Sequence, residues 1–126
     1  MRLQYNALLS EAVRDSDRLS VRPDAVHMLG GRPVVVYDAK YKAAADLGAS
    51  LTADHYQMLA YCTALKVPTA WLVYAGAGEV KLRRILNTDI DVVEFPLDLS
   101  RPPSEILAAI GELARQSWGE VVRAAR

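Results

Sequence analysis

The sequence predicts an α/β domain in which a central mixed sheet, bearing a β-hairpin, is flanked by helices. Short apolar runs on both sides of Gly30 and Gly31 are typical of a hairpin. The unbroken apolar run from Thr69 to Ala75 is typical of a strand covered on both faces. Apolar residues at helical spacing follow Pro103. With 126 residues, 52% of them hydrophobic, the chain is expected to form a single domain over residues 1–126.

The first predicted element is an amphipathic helix from Leu3 to about Asp15. Apolar side chains such as Leu8 and Val13 recur on one side of it, and Glu11 lies toward the edge of that apolar face. For Glu11, a solvated helix position is the open alternative to a role in a site, because charged residues on surface helices are the norm.

The next predicted element is the hairpin, between Arg22 and Lys42. Successive side chains of a strand point to opposite faces, so Asp38 and Lys40 are expected to share one face. Val34 and Val36 are expected to lie below them on that same face.

The length of the turn decides whether Asp24 joins this face. A two-residue turn at Gly30 and Gly31 would place Asp24 opposite Tyr37, whereas a three-residue loop ending at Arg32 would place it opposite Asp38. We therefore expect an odd-length loop or a bulge, which brings the two carboxylates together with the lysine.

This pattern indicates metal-assisted hydrolysis of a phosphodiester. Two carboxylates a few ångströms apart repel each other, and they persist in a fold mainly when a cation lies between them. Oxygen ligands without cysteine or histidine suit Mg²⁺, for which Mn²⁺ can substitute. Lys40 follows the second carboxylate by two residues, where it can steer a water molecule or neutralise charge on a phosphate.

A helix is predicted from Ala53 to about Lys66, with Thr52 as its N-cap and residues 43–50 as a mobile connection before it. Gln57 and Tyr61 are four residues apart and therefore share one side of this helix. Such a pair is commonly found at the boundary of a core, but its position after the two acids favours a role in the site.

Three further elements are predicted after the buried strand. Val80 to Leu86 is expected to be a strand with exposed basic side chains, which either contact phosphates or are merely solvated. Asp91 to Leu99 is expected to be an edge strand because it contains Pro96. The last helix opens at the prolines after Arg101 and is expected to pack one apolar face on the sheet.

These motifs resemble the PD-(D/E)xK nuclease superfamily. Asp24 in a Pro-Asp dipeptide, followed by Asp38-Ala39-Lys40, resembles the superfamily signature, and the Gln57-to-Tyr61 spacing resembles the Gln-x-x-x-Tyr helix of the RecB-like branch. Within that branch, the segments RPD, DAKYK, DHYQMLAY and WLVY are most similar to the nuclease region of McrC, the cleavage subunit of the McrBC restriction system. The resemblance covers roughly residues 19–75.

The resemblance implies a restriction-endonuclease-like core and a Mg²⁺-dependent DNA endonuclease. The metal ligands that it implies are Asp24, Asp38 and the backbone carbonyl of Ala39, with Glu11 as a further carboxylate from the first helix. Lys40 would act on the attacking water, and Gln57 and Tyr61 would line the site near the nucleic-acid backbone. It also implies a GTP-driven, McrB-like partner, which McrC proteins engage through a larger N-terminal portion that this sequence, starting at Met1, does not include.

The composition bears on partners and on location. The 15 basic and 15 acidic residues give a formal charge of zero, which argues against tight autonomous DNA binding and favours a partner, a homodimer or a local basic patch. The residues available for such a patch, and so for binding the substrate, are Lys40, Lys42, Lys81, Arg83 and Arg84. One cysteine, Cys62, excludes an internal disulfide, and no apolar run approaches the roughly 20 residues of a membrane span. A cytoplasmic protein without membrane contact is expected.

Two alternatives to a DNA endonuclease remain open. One is a catalytically silent module that keeps the same fold and binds nucleic acid or protein. The other is a nuclease of the same superfamily that acts on single-stranded DNA or on RNA, which these residues do not distinguish from duplex DNA.

Overall fold

A computed structural model of the chain describes residues 1–10, 20–40 and 47–124. The strands are β1 (Arg2–Leu3), β2 (Ala7–Leu8), β3 (Ser20–Val21), β4 (Ala25–Leu29), β5 (Arg32–Lys40), β6 (Thr69–Ala75), β7 (Lys81–Arg84) and β8 (Asp91–Leu97), and the helices are α1 (Leu47–Leu65) and α2 (Pro103–Ala124). Six strands form a mixed sheet in the order β1-β4-β5-β6-β8-β7, while β2 and β3 pair separately. The predicted α/β class with a mixed sheet is confirmed. Neither described helix is long and apolar enough to cross a membrane.

The prediction of an N-terminal helix is wrong for its described part. Arg2 and Leu3 instead pair with β4, and Ala7 and Leu8 pair with β3. Between the two strands, Gln4 adopts a left-handed conformation (φ 53°), which no helix tolerates in its interior. Pairing with the outer edge of β4 satisfies backbone groups that would otherwise face solvent, and this tertiary effect overrides the local helical pattern. The rest of the predicted helix, Glu11 included, lies outside the described residues.

The turn of the hairpin has two residues, so the three-residue loop is wrong. Leu29 pairs with Arg32 across Gly30 and Gly31, whose φ angles of 59° and 77° are those that a tight turn of this kind requires. A side chain at either glycine would be strained by the backbone conformation, although it would meet no neighbouring atom within 4 Å.

The predicted bulge is confirmed, and it restores the register that the short turn would have lost. The pairing shifts by one residue between His27 and Met28, leaving Val34 as the extra residue on β5. Beyond the bulge, Ala25 pairs with Tyr37, so the preceding Asp24 comes opposite Asp38.

Helices cover both faces of the sheet. The helix α1 connects β5 to the parallel neighbour β6 and packs on one face, where the core contains Val26, Val36, Met58, Cys62 and Leu72. The other face carries a second core of Val35, Trp71, Val93 and Phe95, against which Leu113 and Val121 of α2 pack. The prediction that Val34 shares the face of Val36 is wrong, because the bulge turns Val34 toward the second core.

The helix α1 begins earlier than predicted. Residues 47–50, which were expected to be a mobile connection, form its first turn, so Thr52 lies inside the helix and is not its N-cap. At the other end, Lys66 takes a left-handed conformation (φ 56°), and the Val67 N–H donates to the Cys62 carbonyl at 3.0 Å. The predicted end of the helix is therefore confirmed.

The strand β8 is internal, so its predicted edge position is wrong. It pairs with β6 on one side and with β7 on the other. The short β7 reaches only as far as Glu94, so Pro96 lies beyond the segment paired with β7, although it stays in register with Tyr74 of β6. A missing N–H on the side of β7 costs no ladder hydrogen bond there. The last helix forms as predicted, but Leu107 and Ile110 remain exposed, so only part of its apolar face packs on the sheet.

Candidate functional site

The two carboxylates of the site are held by the backbone of the opposite strand. The N–H of Asp24 donates to Oδ1 of Asp38 at 3.3 Å, and the N–H of Ala39 donates to Oδ2 of Asp24 at 2.9 Å. The amide of Gln4 also donates to Oδ1 of Asp24 at 3.3 Å, so the N-terminal segment contributes to the site. The hairpin register thus brings together the two acids that the sequence predicted would converge.

The charge of Asp38 is only partly compensated in the fold. Its side chain is 3% exposed, and its Oδ2 lies 2.8 Å from Nζ of Lys40. Burial raises the pKa of Asp38 and the charge of Asp24 raises it further, while the contact with Lys40 lowers it, with a net rise. The fold therefore holds a carboxylate whose ionised form lacks full stabilisation, and an additional cation there would supply it.

Gln57 and Lys40 meet across the sheet-helix boundary. Nζ of Lys40 donates to Oε1 of Gln57 at 2.6 Å, which ties the end of β5 to α1. Because Nζ has three hydrogen atoms, contacts with Asp38 and Gln57 leave one for a further acceptor. The sequence predicted both residues, and the structure brings them together.

Tyr61, which was predicted to border the substrate, is buried beside the acidic pair. It is 4% exposed, and its hydroxyl donates to the backbone carbonyl of Arg22 at 3.4 Å. Burial, followed by the charges of Asp38 and Asp24, raises the pKa of the phenol, so it stays protonated. Tyr61 therefore supports the chain just before Asp24.

The site lies where parallel strands end. Asp38 and Lys40 occupy the last residues of β5, in register with Leu72 and Tyr74 of the parallel β6. Open α/β sheets commonly bind ligands outside the carboxyl ends of their strands, near the start of the following helix. The acids thus lie at the end of the sheet where ligands commonly bind, with Asp38 buried and Asp24 partly buried.

The donor set fits a hard divalent cation. Among the described residues, no group of three or more histidine, cysteine, aspartate or glutamate side chains could hold a metal ion. Mg²⁺, however, is commonly bound by one or two carboxylates and keeps several waters, so the chemistry of Asp24 and Asp38 is compatible with this ion. The remaining predicted residues, Glu11 and Lys42, lie outside the described part of the chain.

A second polar cluster escaped the sequence analysis. Glu94 is 3% exposed, and its Oε1 accepts from Nε of Arg83 at 2.9 Å and lies 3.2 Å from Nε2 of His55. Pairing places Asp38, Leu72 and Glu94 in one row across the sheet. The sequence held one sign of this cluster, because Glu94 is an acidic residue among the apolar positions of the predicted strand. Since that strand was expected at the edge of the sheet, Glu94 was not expected to be buried.

The two histidines occupy different faces. His55 lies on the face of the acidic site, but its Nε2 is 3.2 Å from Oε1 of Glu94. His27 lies on the other face, where it stacks on Trp118 of α2 with ring centroids 4.1 Å apart.

Fold and site together define an α/β domain that carries two carboxylates and a lysine at the end of a parallel strand. Residues 1–75 match the family described as a McrBC 5-methylcytosine restriction system component. Because this match covers more than half of the 126 residues, the chain belongs to that family. The match includes every described residue of the acidic site. No curated protein matches the chain.

Proposed function

We propose that this chain is the Mg²⁺-dependent DNA endonuclease domain of a McrC-like restriction system, of the PD-(D/E)xK type. The observation that carries this proposal is the convergence of Asp24, Asp38 and Lys40 at the end of β5. Membership of a restriction-system family supports DNA as the substrate. Cleavage of DNA inside the cell is consistent with a cytoplasmic location.

The proposed metal site uses Asp24, Asp38 and the Ala39 carbonyl. Mg²⁺ held there would increase the acidity of a water molecule and offset charge on the reacting phosphate. The two carboxylates are already fixed by backbone N–H groups, so little rearrangement is needed before a substrate binds.

Lys40 and Gln57 form the proposed catalytic pair around the reacting phosphate. The Lys40 ammonium, held between Asp38 and Gln57, directs its remaining N–H toward the attacking water or a phosphate oxygen. Gln57 fixes the position of that ammonium and borders the substrate, while Tyr61 supports the segment that leads into Asp24. A positioned cation of this kind stabilises the negative charge that develops during in-line displacement.

A partner is part of the proposal. The formal charge of zero gives little long-range attraction for DNA, so affinity must come from local contacts or from another polypeptide. A GTP-driven, McrB-like subunit is the partner that the family membership favours, with homodimerisation as the alternative source of added contacts.

Metal-dependent cleavage tests the proposal. Plasmid and single-stranded DNA are incubated with Mg²⁺ or Mn²⁺ and the native chain, the Asp38→Ala variant or the Lys40→Ala variant, with Asp89→Ala as a control at an exposed position. We expect nicking that both site variants lose and the control retains. Calorimetric titration with Mn²⁺ accompanies the assay, and absence of both cleavage and Asp38-dependent metal binding would overturn the proposal. Asp38-dependent binding without cleavage would support a competent site that requires its partner.

A further inference from the structure

The edge strand β7 carries two cations on the same face of the sheet as the acidic site. Lys81 pairs with Glu94, and Glu94 lies in the row that begins at Asp38. Residues two apart on a strand share a face, so Arg83 joins Lys81 on this side. Arg84 faces the other way and forms an ion pair with Asp91. The basic residues that the sequence grouped together are thus divided between two faces.

Arg83 is held in place by a buried carboxylate. Glu94 is 3% exposed, whereas the side chain of Arg83 is 50% exposed and reaches Glu94 through Nε. This contact leaves the N–H groups of the two terminal guanidinium nitrogens for another acceptor. Fixing a long side chain in advance lowers the entropy cost of binding, and a guanidinium fork matches the oxygens of a phosphate.

The helix α1 lies between the two features. Four adjacent strands carry Asp38, Leu72, Glu94 and Lys81, which places the ends of the row about 14 Å apart at the usual strand spacing. Leu72 and Glu94 are buried, and α1 contacts Lys40 through Gln57 and Glu94 through His55, so the helix covers the middle of the row. A nucleic-acid strand with a phosphodiester at Asp38 therefore passes around α1 to bring its neighbouring phosphates to β7.

We propose that Lys81 and Arg83 bind phosphates of the strand that is cut at Asp24 and Asp38, and that Glu94 is the positioning residue for Arg83. This inference rests on the proposed nuclease function for the identity of the ligand. It explains how a chain of zero net charge gains local affinity, since the two cations lie on the face of the acidic site.

The arginines of β7 provide a matched pair for the test. Binding of fluorescein-labelled duplex and single-stranded DNA to the intact chain is measured by anisotropy in EDTA, which prevents cleavage, over a series of salt concentrations. We expect Arg83→Ala to weaken binding about tenfold and to reduce the salt slope by about one, as for the loss of one phosphate contact. Arg84→Ala, on the opposite face, should stay within about twofold of the native affinity. Equal effects of the two substitutions, or no binding by the native chain, would overturn the inference.

The positioning role of Glu94 has its own readout. Glu94→Gln keeps an oxygen that accepts from Nε of Arg83, so it should retain the native salt slope, whereas Glu94→Ala should behave like Arg83→Ala. Thermal unfolding of each variant shows whether it still folds. If Glu94→Ala does not fold, the Arg83→Ala variant still tests phosphate binding, and Glu94→Gln still tests the positioning role. Glu94→Ala that folds and keeps the native slope would contradict the positioning role.

The inference and the proposed nuclease fail in distinguishable ways. Absence of both metal-dependent cleavage and Asp38-dependent metal binding, together with Arg83-dependent DNA binding, would refute the nuclease and leave the phosphate-binding face supported. Normal cleavage by an Arg83→Ala variant with the native salt slope would refute the phosphate-binding face and leave the nuclease supported.

Discussion

Asp24 and Asp38 hold each other's strand in place. The backbone N–H of Asp24 donates to the carboxylate of Asp38, and the residue after Asp38 donates its N–H to the carboxylate of Asp24. Neither acid can shift without breaking a contact of the other. The pair is therefore a preformed part of the hairpin, and its stability and its chemistry should respond together to substitution.

Asp38→Asn should stabilise the metal-free protein while removing metal binding. Burial raises the pKa of Asp38, so the ionised side chain at pH 7 costs stability that a neutral isostere recovers. We expect a gain of about 1 kcal/mol in the free energy of unfolding, which is typical of substitutions that remove an unfavourable buried charge from a functional site. Urea unfolding in EDTA measures the gain, and calorimetry measures the loss of Mn²⁺ binding.

The exposed Asp89→Asn variant is the control for this experiment. It removes one carboxylate from a solvated turn and should leave both unfolding and metal binding unchanged. Destabilisation by Asp38→Asn would show that the contacts with Lys40 and with the Asp24 N–H outweigh the burial of the charge.

Lys40→Met should separate chemistry from metal binding. The substitution keeps the length of the side chain but removes a cation 2.8 Å from Asp38, so Mn²⁺ affinity should be retained or rise. The cleavage rate should fall by about 10² to 10⁴, the range for loss of a positioned acid-base or electrostatic group. Calorimetry and single-turnover cleavage give the two values, and weaker metal binding would contradict the assigned role.

Gln57 should act through the oxygen that accepts from Lys40. Gln57→Glu keeps this acceptor, whereas Gln57→Leu removes it at similar size and frees the ammonium. We expect Gln57→Leu to lower kcat about tenfold, in line with loss of a hydrogen bond to a charged group, and Gln57→Glu to stay close to native. Equal losses would indicate that Gln57 contacts the substrate through its amide N–H groups instead.

Docking of α2 should weaken in acid because His27 stacks on Trp118. Burial, with a smaller effect of the N-terminal charge, lowers the pKa of His27 below its ordinary value of 6.5. The unfolded chain therefore binds the proton more tightly, and the free energy of unfolding should fall as the pH drops below that value. Tryptophan fluorescence and thermal unfolding between pH 8 and pH 5 measure the change. His27→Phe keeps an aromatic ring without a titrating group and should remove that part of the pH dependence.

Deletion of Val34 should leave the site intact. Val34 is the extra residue of the bulge, so a chain without it can form a regular hairpin with the same pairs on both sides. Val34→Ala, which keeps the length, is the matched comparison for loss of packing on the α2 face. Mn²⁺ titration reports the register, and a deletion variant that folds but no longer binds metal would contradict this view of the bulge.

The residues of the acidic site were easier to predict from the sequence than the strands and turns around them. Alternation along β5 and the four-residue spacing on α1 are local rules, so Asp38, Lys40 and Gln57 could be placed from the sequence. An odd-length loop or a bulge was predicted, and the bulge is confirmed, because the argument from the two acids required an odd shift in register without specifying where it occurs. The role of Glu94 depends on β7 covering β8, which no local pattern reports.

The N-terminal segment shows why some secondary-structure elements were predicted wrongly from the sequence. Its residues fit a helix when considered alone, but the open edge of β4 offers hydrogen bonds that only the folded chain presents. Gln4 then reaches Asp24, so a segment with a wrong secondary-structure prediction supplies a contact to the site.

The position of the site along the chain has a consequence for the timing of its assembly. In the described structure, the groups that hydrogen-bond to the acidic pair or to Lys40 lie at or before Gln57, whereas β5 gains its inner neighbour only with Thr69–Ala75. A ribosome therefore releases the complete set of reactive groups before it releases the strand that keeps them aligned. Competence to act on DNA should appear late in translation, once β6 has joined the sheet.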